Sequence, residues 1–208
     1  MDRAPIEEDT FHHVYNRGVD KRTIFEDDAD HRRFILYLNV LNDTQIESPN
    51  TFEALERRHK DSPLGERLVN ICAFCLMPNH FHLLLHERTP GGISKFMQRL
   101  GTAYTLYFNE KHKRSGALFQ GRYKNRIIDD EEYLLHVIDY IHCNPNSIAG
   151  VEEYLWSSYH DFCGSKKFKQ LLGTDVLSEF TEIPKNYASW LRSRGNFSEI
   201  KHITIDES

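Results

Sequence analysis

The chain has 208 residues, of which 39% are hydrophobic and 27% charged, with a formal charge of −5. That is enough for one sizeable core with an appendage and too little for two full domains. No apolar run approaches the length of a bilayer span and the N-terminal MDRAPIEEDT is acidic and polar, so a membrane protein and a secretory leader are argued against and a cytoplasmic chain is expected.

Residues 11–16, FHHVYN, are rich in aromatic and β-branched types and predict a strand, turned by Arg17-Gly18-Val19-Asp20. Asp27 or Asp28 is placed to cap a helix running to about Asn42, with Phe34, Ile35, Leu38 and Leu41 on one face. Residues 43–66 are polar and carry Pro49 and Pro63; they predict a long excursion, with TFEALERRHK helical within it. LVNICAFCL (68–76) predicts a buried strand and HFHLLLH (80–86) the next, paired as a hairpin across Met77-Pro78-Asn79. Ile93–Asn109 has helical spacing, Lys111–Gly121 is a basic loop, and Arg122–Ile128 alternates as a fourth strand. Asp129 or Asp130 caps a helix that ends near Cys143 at Asn144-Pro145-Asn146. Beyond Pro145, Glu153–Phe162 and Tyr187–Arg194 are the helical candidates.

This order predicts an α+β fold: a ferredoxin-like (RRM-like) four-stranded antiparallel sheet with helices on one face, plus a C-terminal helical extension. The expected division is a main domain over 1–149 and an extension over 150–208.

The four cysteines need not form disulfides in a cytoplasmic chain. Cys72 and Cys75 are three apart on a strand, hence on opposite faces, which argues against a shared metal. Charge is strongly polarised. From Arg88 to Arg126 there are nine Lys or Arg against one acid, Glu110, a local +8 in a chain of −5. Such a segment can steer a polyanion to one place, or be no more than a solvated helix face and a basic loop.

His80 and His82 are i and i+2 on a strand, so both imidazoles share a face opposite Phe81, Leu83 and Leu85. Two neutral imidazoles on a rigid strand make a start for a divalent-metal site, and equally make polar surface; His86 continues that face. In EEYLLHVIDYIHCNPN, Tyr140 and Asn144 lie one helical turn apart, with His136 on the same stripe. The alternative is an amphipathic core tyrosine and an asparagine that only stops the helix.

Taken together, MPNHFHLLLH, the helix ending DYIHCNP and the opening HHVYNRGVDKRTIF with DDADHRRFILYL resemble the single-tyrosine HUH transposases, and among them the REP-associated tyrosine transposases. GALFQGRYKNRII and YLWSSYHDF resemble the same branch, and the likeness covers roughly residues 10–163. It implies a metal-dependent endonuclease and strand transferase acting on single-stranded DNA with palindromic hairpins. His80 and His82 would bind Mg²⁺ or Mn²⁺ with Asn144 completing the site. Tyr140 would be the nucleophile, forming a 5′-phosphotyrosine link and releasing a 3′-hydroxyl that can later reverse the step. A tyrosine with an ordinary pKa near 10 needs a base, and solvent at the metal or His136 are the candidates. DNA phosphates would meet Arg17, Lys111, Lys113, Arg114, Arg122, Lys124 and Arg126, with Phe119 and Tyr123 available to stack on bases. The resemblance allows a homodimer and involves no membrane. Two other readings compete: a non-catalytic RRM-like nucleic-acid-binding protein, and a zinc-dependent hydrolase using His80, His82 and His86.

Overall fold

The computed structural model describes residues 10–46 and 66–194. The helix expected over TFEALERRHK lies outside the described residues. The elements are β1 (Phe11–Arg17), α1 (Asp28–Val40), β2 (Val69–Met77), β3 (His80–Glu87), α2 (Gly92–Lys111), β4 (Lys124–Ile128), α3 (Glu131–Cys143), α4 (Tyr159–Phe162) and α5 (Tyr187–Ser193). The sheet order is β2-β3-β1-β4 and every pairing is antiparallel, the order of a split βαβ fold.

Local chemistry explains the boundaries. Asp27 caps α1 by accepting from Asp30 N at 2.9 Å, and Asp130 caps α3 by accepting from Tyr133 N at 2.7 Å. The buried Glu87 carboxylate accepts from Gly92 N and Ile93 N at the start of α2, placing negative charge at the positive end of that helix. β2 and β3 join through Pro78 and Asn79, with Met77 opposite His80, as the spacing predicts.

Both faces of the sheet are covered. On one, Val14, Phe74, Phe81 and Leu83 pack with Phe34 and Leu38 of α1 and with Phe96, Leu100 and Tyr104 of α2. On the other, Ala73, Cys75 and Leu84 pack with Leu134, Val137, Ile138 and Ile141 of α3. Each such side chain contributes about 1.5–3 kcal/mol on burial. The expected α+β sheet is present, but its helices divide between the faces and are not confined to one. The reason is pattern: β2 and β3 are apolar on both sides (Phe74 against Cys75, Leu83 against Leu84), so both faces need a cover.

The chain after Ile148 packs on this second face through Tyr159, Leu177, Tyr187 and Leu191. Residues 153–158, expected to be helical, instead run along the outer edge of β2. Ser157 bridges to Cys75, Leu76 N donates to Trp156 O at 2.9 Å, and Phe74 N donates to Ser158 Oγ at 2.9 Å. Covering an otherwise unpaired edge outweighs a weak helical propensity. No described helix is long and apolar enough to cross a membrane.

Candidate active site

The antiparallel register brings three odd-numbered residues of β1 onto the face that carries His80 and His82. Arg17 lies opposite His80, Tyr15 opposite His82, and His13 opposite Leu84. On the far side of β1, Lys124 lies opposite Tyr15 and Arg126 opposite His13, so both basic residues stand on the same face. α3 crosses this face, and its Tyr140 ring sits edge-on to His82 with centroids 5.3 Å apart and planes at 90°. Tyr140 belongs at the margin of the apolar stripe, half-buried while Val137, Ile138 and Ile141 are fully buried.

His80, His82, Tyr140 and Asn144 open into one cavity of about 360 Å³, with Arg17, Lys21, Thr23 and Asn79 completing its polar wall. Its rim is held by the backbone. Gly18 N donates to Asn79 O at 2.9 Å, and Ile24 N and Phe25 N both donate to Pro78 O, which ties the turn after β1 to the β2–β3 hairpin tip. A Cβ at Gly18 would collide with Arg22 O, so this close approach requires glycine. Asp20 and Lys21 adopt left-handed backbone angles, φ 55° and 57°, a conformation costing on the order of 1 kcal/mol each that this tight turn imposes.

The histidines are held by partners of different kinds. His80 Nδ1 donates to Asn79 Oδ1 at 2.6 Å. His82 Nδ1 meets His13 Nε2 at 2.9 Å, both rings being fully buried. Among the described residues, His82 Nε2 is buried with no hydrogen-bond partner. Burial first, then the charges of His80, His13 and Arg17, hold His82 well below the usual imidazole range, with Asn144 acting weakly in the opposite sense. His82 is therefore neutral, with a lone pair to give. Asn144 Nδ2 donates to Tyr140 O at 2.9 Å, which leaves its amide oxygen as the atom able to serve as a ligand. An orphaned imidazole nitrogen beside a second imidazole and an amide oxygen fits a divalent cation. Among the described residues no group of three or more His, Cys, Asp and Glu is arranged to hold a metal, so a third protein donor here would be of another type, such as the Asn144 amide oxygen.

Other expected residues lie elsewhere. His86 is at the far end of β3, packed between Phe11 and Phe180 with centroids 4.6 and 6.1 Å away. At about 3.3 Å of rise per residue it is on the order of 13 Å along the strand from His82, too far to complete the three-histidine zinc site of the hydrolase reading. His136 is half-buried on α3 and does not line the cavity. Lys111 Nζ is bound by Asp30 Oδ1 at 2.7 Å and Asp27 Oδ2 at 2.9 Å, and Arg114 binds Asn109 Oδ1 and Ala117 O. Both hold the fold together. Lys113 is exposed at the end of α2, and Arg122 lines a separate groove with Tyr123 on the α2 side of the sheet. Phe119 is buried against Phe81 and Tyr104 at the floor of that groove. The aromatic-displaying open sheet of an RRM-like binder is absent, because α3 covers that face.

His13, Tyr15 and Lys21, like Thr23 and Asn79, lie at or beside the site without having been legible as site residues in the sequence. The alternation that paired His80 with His82 applies equally to His13, Tyr15 and Arg17 on β1. Lys21 carried no such signal, since its position depends on the turn.

Residues 61–144 match the family model described as transposase, IS200-like, a span that includes His80, His82, Tyr140 and Asn144. A protein of Haemophilus influenzae described as a candidate REP-associated tyrosine transposase is 28% identical over 104 residues, covering 42% of this chain. The chain spans 57% of that relative's length. Among solved structures, a REP-associated tyrosine transposase bound to a REP hairpin superposes with a TM-score of 0.50 at 14% identity, covering 85% of this chain and 92% of that one. At that identity the likeness establishes a shared fold.

Proposed function

We propose, from the match of residues 61–144 to the IS200-like transposase model, that this protein is a metal-dependent single-stranded DNA endonuclease and strand transferase acting at hairpin-associated sites. The observation that carries this is the apposition of Tyr140 to His82 across a cavity shared with His80 and Asn144. The cavity offers a hydroxyl nucleophile, neutral metal donors and fixed cations in one place. The H. influenzae relative and the hairpin-bound neighbour are of the REP-associated kind, which supports a palindromic hairpin as the partner.

His80, His82 and Asn144 would hold a divalent cation, Mg²⁺ or Mn²⁺, which when bound would supply Lewis-acid charge for the scissile phosphate. None of these three side chains is anionic, so they would leave the cation's full charge for the substrate. Arg17 and Lys21, on the cavity wall, bind the non-bridging phosphate oxygens and orient the phosphorus toward Tyr140. The Tyr140 oxygen attacks, the P–O3′ bond breaks, and a 5′-phosphotyrosine link forms with release of a 3′-hydroxyl. Because the phosphodiester is exchanged and not hydrolysed, a 3′-hydroxyl can attack the link and rejoin strands without ATP. Lys124 and Arg126 continue the basic surface along the same face and carry the flanking strand.

The test is end-labelled single-stranded DNA carrying the palindromes that flank the protein's own gene, incubated with Mg²⁺ or Mn²⁺ and resolved on a denaturing gel. The expected result is a metal-dependent protein–DNA adduct that His82→Ala and Tyr140→Phe abolish. Cleavage without an adduct would overturn the proposal in favour of hydrolysis.

A further inference from the structure

His82 has two ring nitrogens, and the structure gives them opposite surroundings. Nε2 belongs to a residue that lines the cavity and has no hydrogen-bond partner among the described residues, while Nδ1 is 2.9 Å from His13 Nε2. The two rings lie nearly parallel, 14° apart, with centroids separated by 5.1 Å. One hydrogen occupies a contact of this length between two imidazole nitrogens. If it sits on His13, then neutral His82 carries its own proton on Nε2 and presents N–H to the cavity, which cannot ligate a cation. If it sits on His82 Nδ1, then Nε2 presents a lone pair.

We propose that His13 is a positioning residue which accepts the His82 Nδ1 proton and thereby fixes His82 as a metal ligand through Nε2. The inference rests on the metal site proposed above. The partner is unusual: ligating histidines commonly donate to a carboxylate or a carbonyl. His80 follows that habit through Asn79 Oδ1, whereas His82 uses a second imidazole. An imidazole acceptor places no anion beside the cation. β1 makes the placement rigid, because His13 is diagonal to His82 on the same sheet face and fully buried. In this role His13 Nδ1 carries the hydrogen. It is buried and unpartnered, a cost the site bears to keep His13 as an acceptor.

The test is Mn²⁺ binding to the full chain, read by electron paramagnetic resonance, for the wild type, His82→Ala, His13→Ala and His13→Gln, with circular dichroism to confirm folding. His13→Ala is expected to weaken Mn²⁺ roughly 10- to 100-fold, and His13→Gln, whose amide oxygen can accept the same hydrogen, to recover most of the loss. In the Mg²⁺-saturated wild type, ¹H–¹⁵N spectra should show the shared proton one-bond coupled to His82 Nδ1. A proton found on His13 Nε2, or folded His13→Ala and His13→Gln proteins that both bind Mn²⁺ like the wild type, would overturn the inference and leave the metal site standing. Wild type and His82→Ala binding Mn²⁺ equally would instead remove the metal site, and the inference with it.

Discussion

Among individual residues, the tyrosines separate sharply by environment. Tyr104 is fully buried and donates to Ile24 O at 2.6 Å, and Tyr107 donates to the buried Asp30. Both are committed to the fold. Tyr15 is the serious rival to Tyr140: half-buried, with its ring centroid 5.9 Å from His82. It does not line the cavity, and burial raises its pKa, Arg126 notwithstanding. Tyr15→Phe should therefore retain adduct formation within about threefold, on the scale of one lost hydrogen bond, whereas Tyr140→Phe abolishes it. The basic residues separate in the same way. Lys124→Ala and Arg126→Ala should each weaken single-stranded DNA binding and lower the slope of log affinity against log salt by about 0.7. Lys111→Ala should leave that slope unchanged and lower the unfolding free energy, because it strips the buried Asp30 of its counter-charge. Filter binding across a salt series, with urea titrations alongside, checks both.

The elements that carry the candidate site are two strands and one helix, and they are unequally legible in the sequence. β3 declared itself through His-Phe-His in an apolar run, and α3 through Leu134, Val137, Ile138 and Ile141 at helical spacing. What periodicity could not supply was the partner of each face. That α3 lies on the histidine side follows from β2 and β3 being apolar on both sides, a demand of the whole sheet. The two buried polar residues of α3 were equally silent. Asp139 accepts from Tyr187 OH at 2.9 Å, Trp190 Nε1 at 3.1 Å and Arg194 Nε at 3.1 Å. Ser158 Oγ donates to His142 Nε2, and His142 Nδ1 donates to Tyr187 OH, each at 2.8 Å. These contacts span 16 to 55 residues of sequence and pin the helix that carries Tyr140 to the C-terminal segment. Asp139→Ala leaves the buried Tyr187 hydroxyl and the half-buried Trp190 and Arg194 donors without an acceptor and should cost about 2–4 kcal/mol in urea unfolding. It should lower adduct yield while leaving Mn²⁺ affinity nearly intact, since no metal donor is touched. A loss of unfolding free energy below about 1 kcal/mol would show that the C-terminal segment does not brace the helix.

Across the whole molecule, buried neutral histidines set the response to acid. Burial holds His142 down to about 3; burial and then Arg126 do the same to His13; His82 and His31 are lowered in the same sense, chiefly by burial. The unfolded chain takes up protons at these positions near pH 6.5 while the folded chain refuses them. Their contribution to stability is thus fully present above pH 6.5 and is lost progressively as pH falls toward about 3. His13 and His142 each weaken stability by about 1.4 kcal/mol per pH unit within that window, and His82 and His31 act in the same direction. The melting temperature without added metal should be level above pH 7 and fall steeply below 6.5, and His142→Gln should make the fall shallower. A melting temperature unchanged from pH 7.5 to 5 would contradict this.

The proposed chemistry depends on the Tyr140 oxygen being the atom that becomes joined to the DNA. The most direct measurement is to digest the gel-purified adduct with trypsin and nuclease and to locate the residual nucleotide by tandem mass spectrometry. The nucleotide is predicted on the peptide containing Tyr140, joined through a 5′-phosphate to the tyrosine oxygen. A nucleotide on Tyr15, on a histidine, or joined through a 3′-phosphate would contradict it.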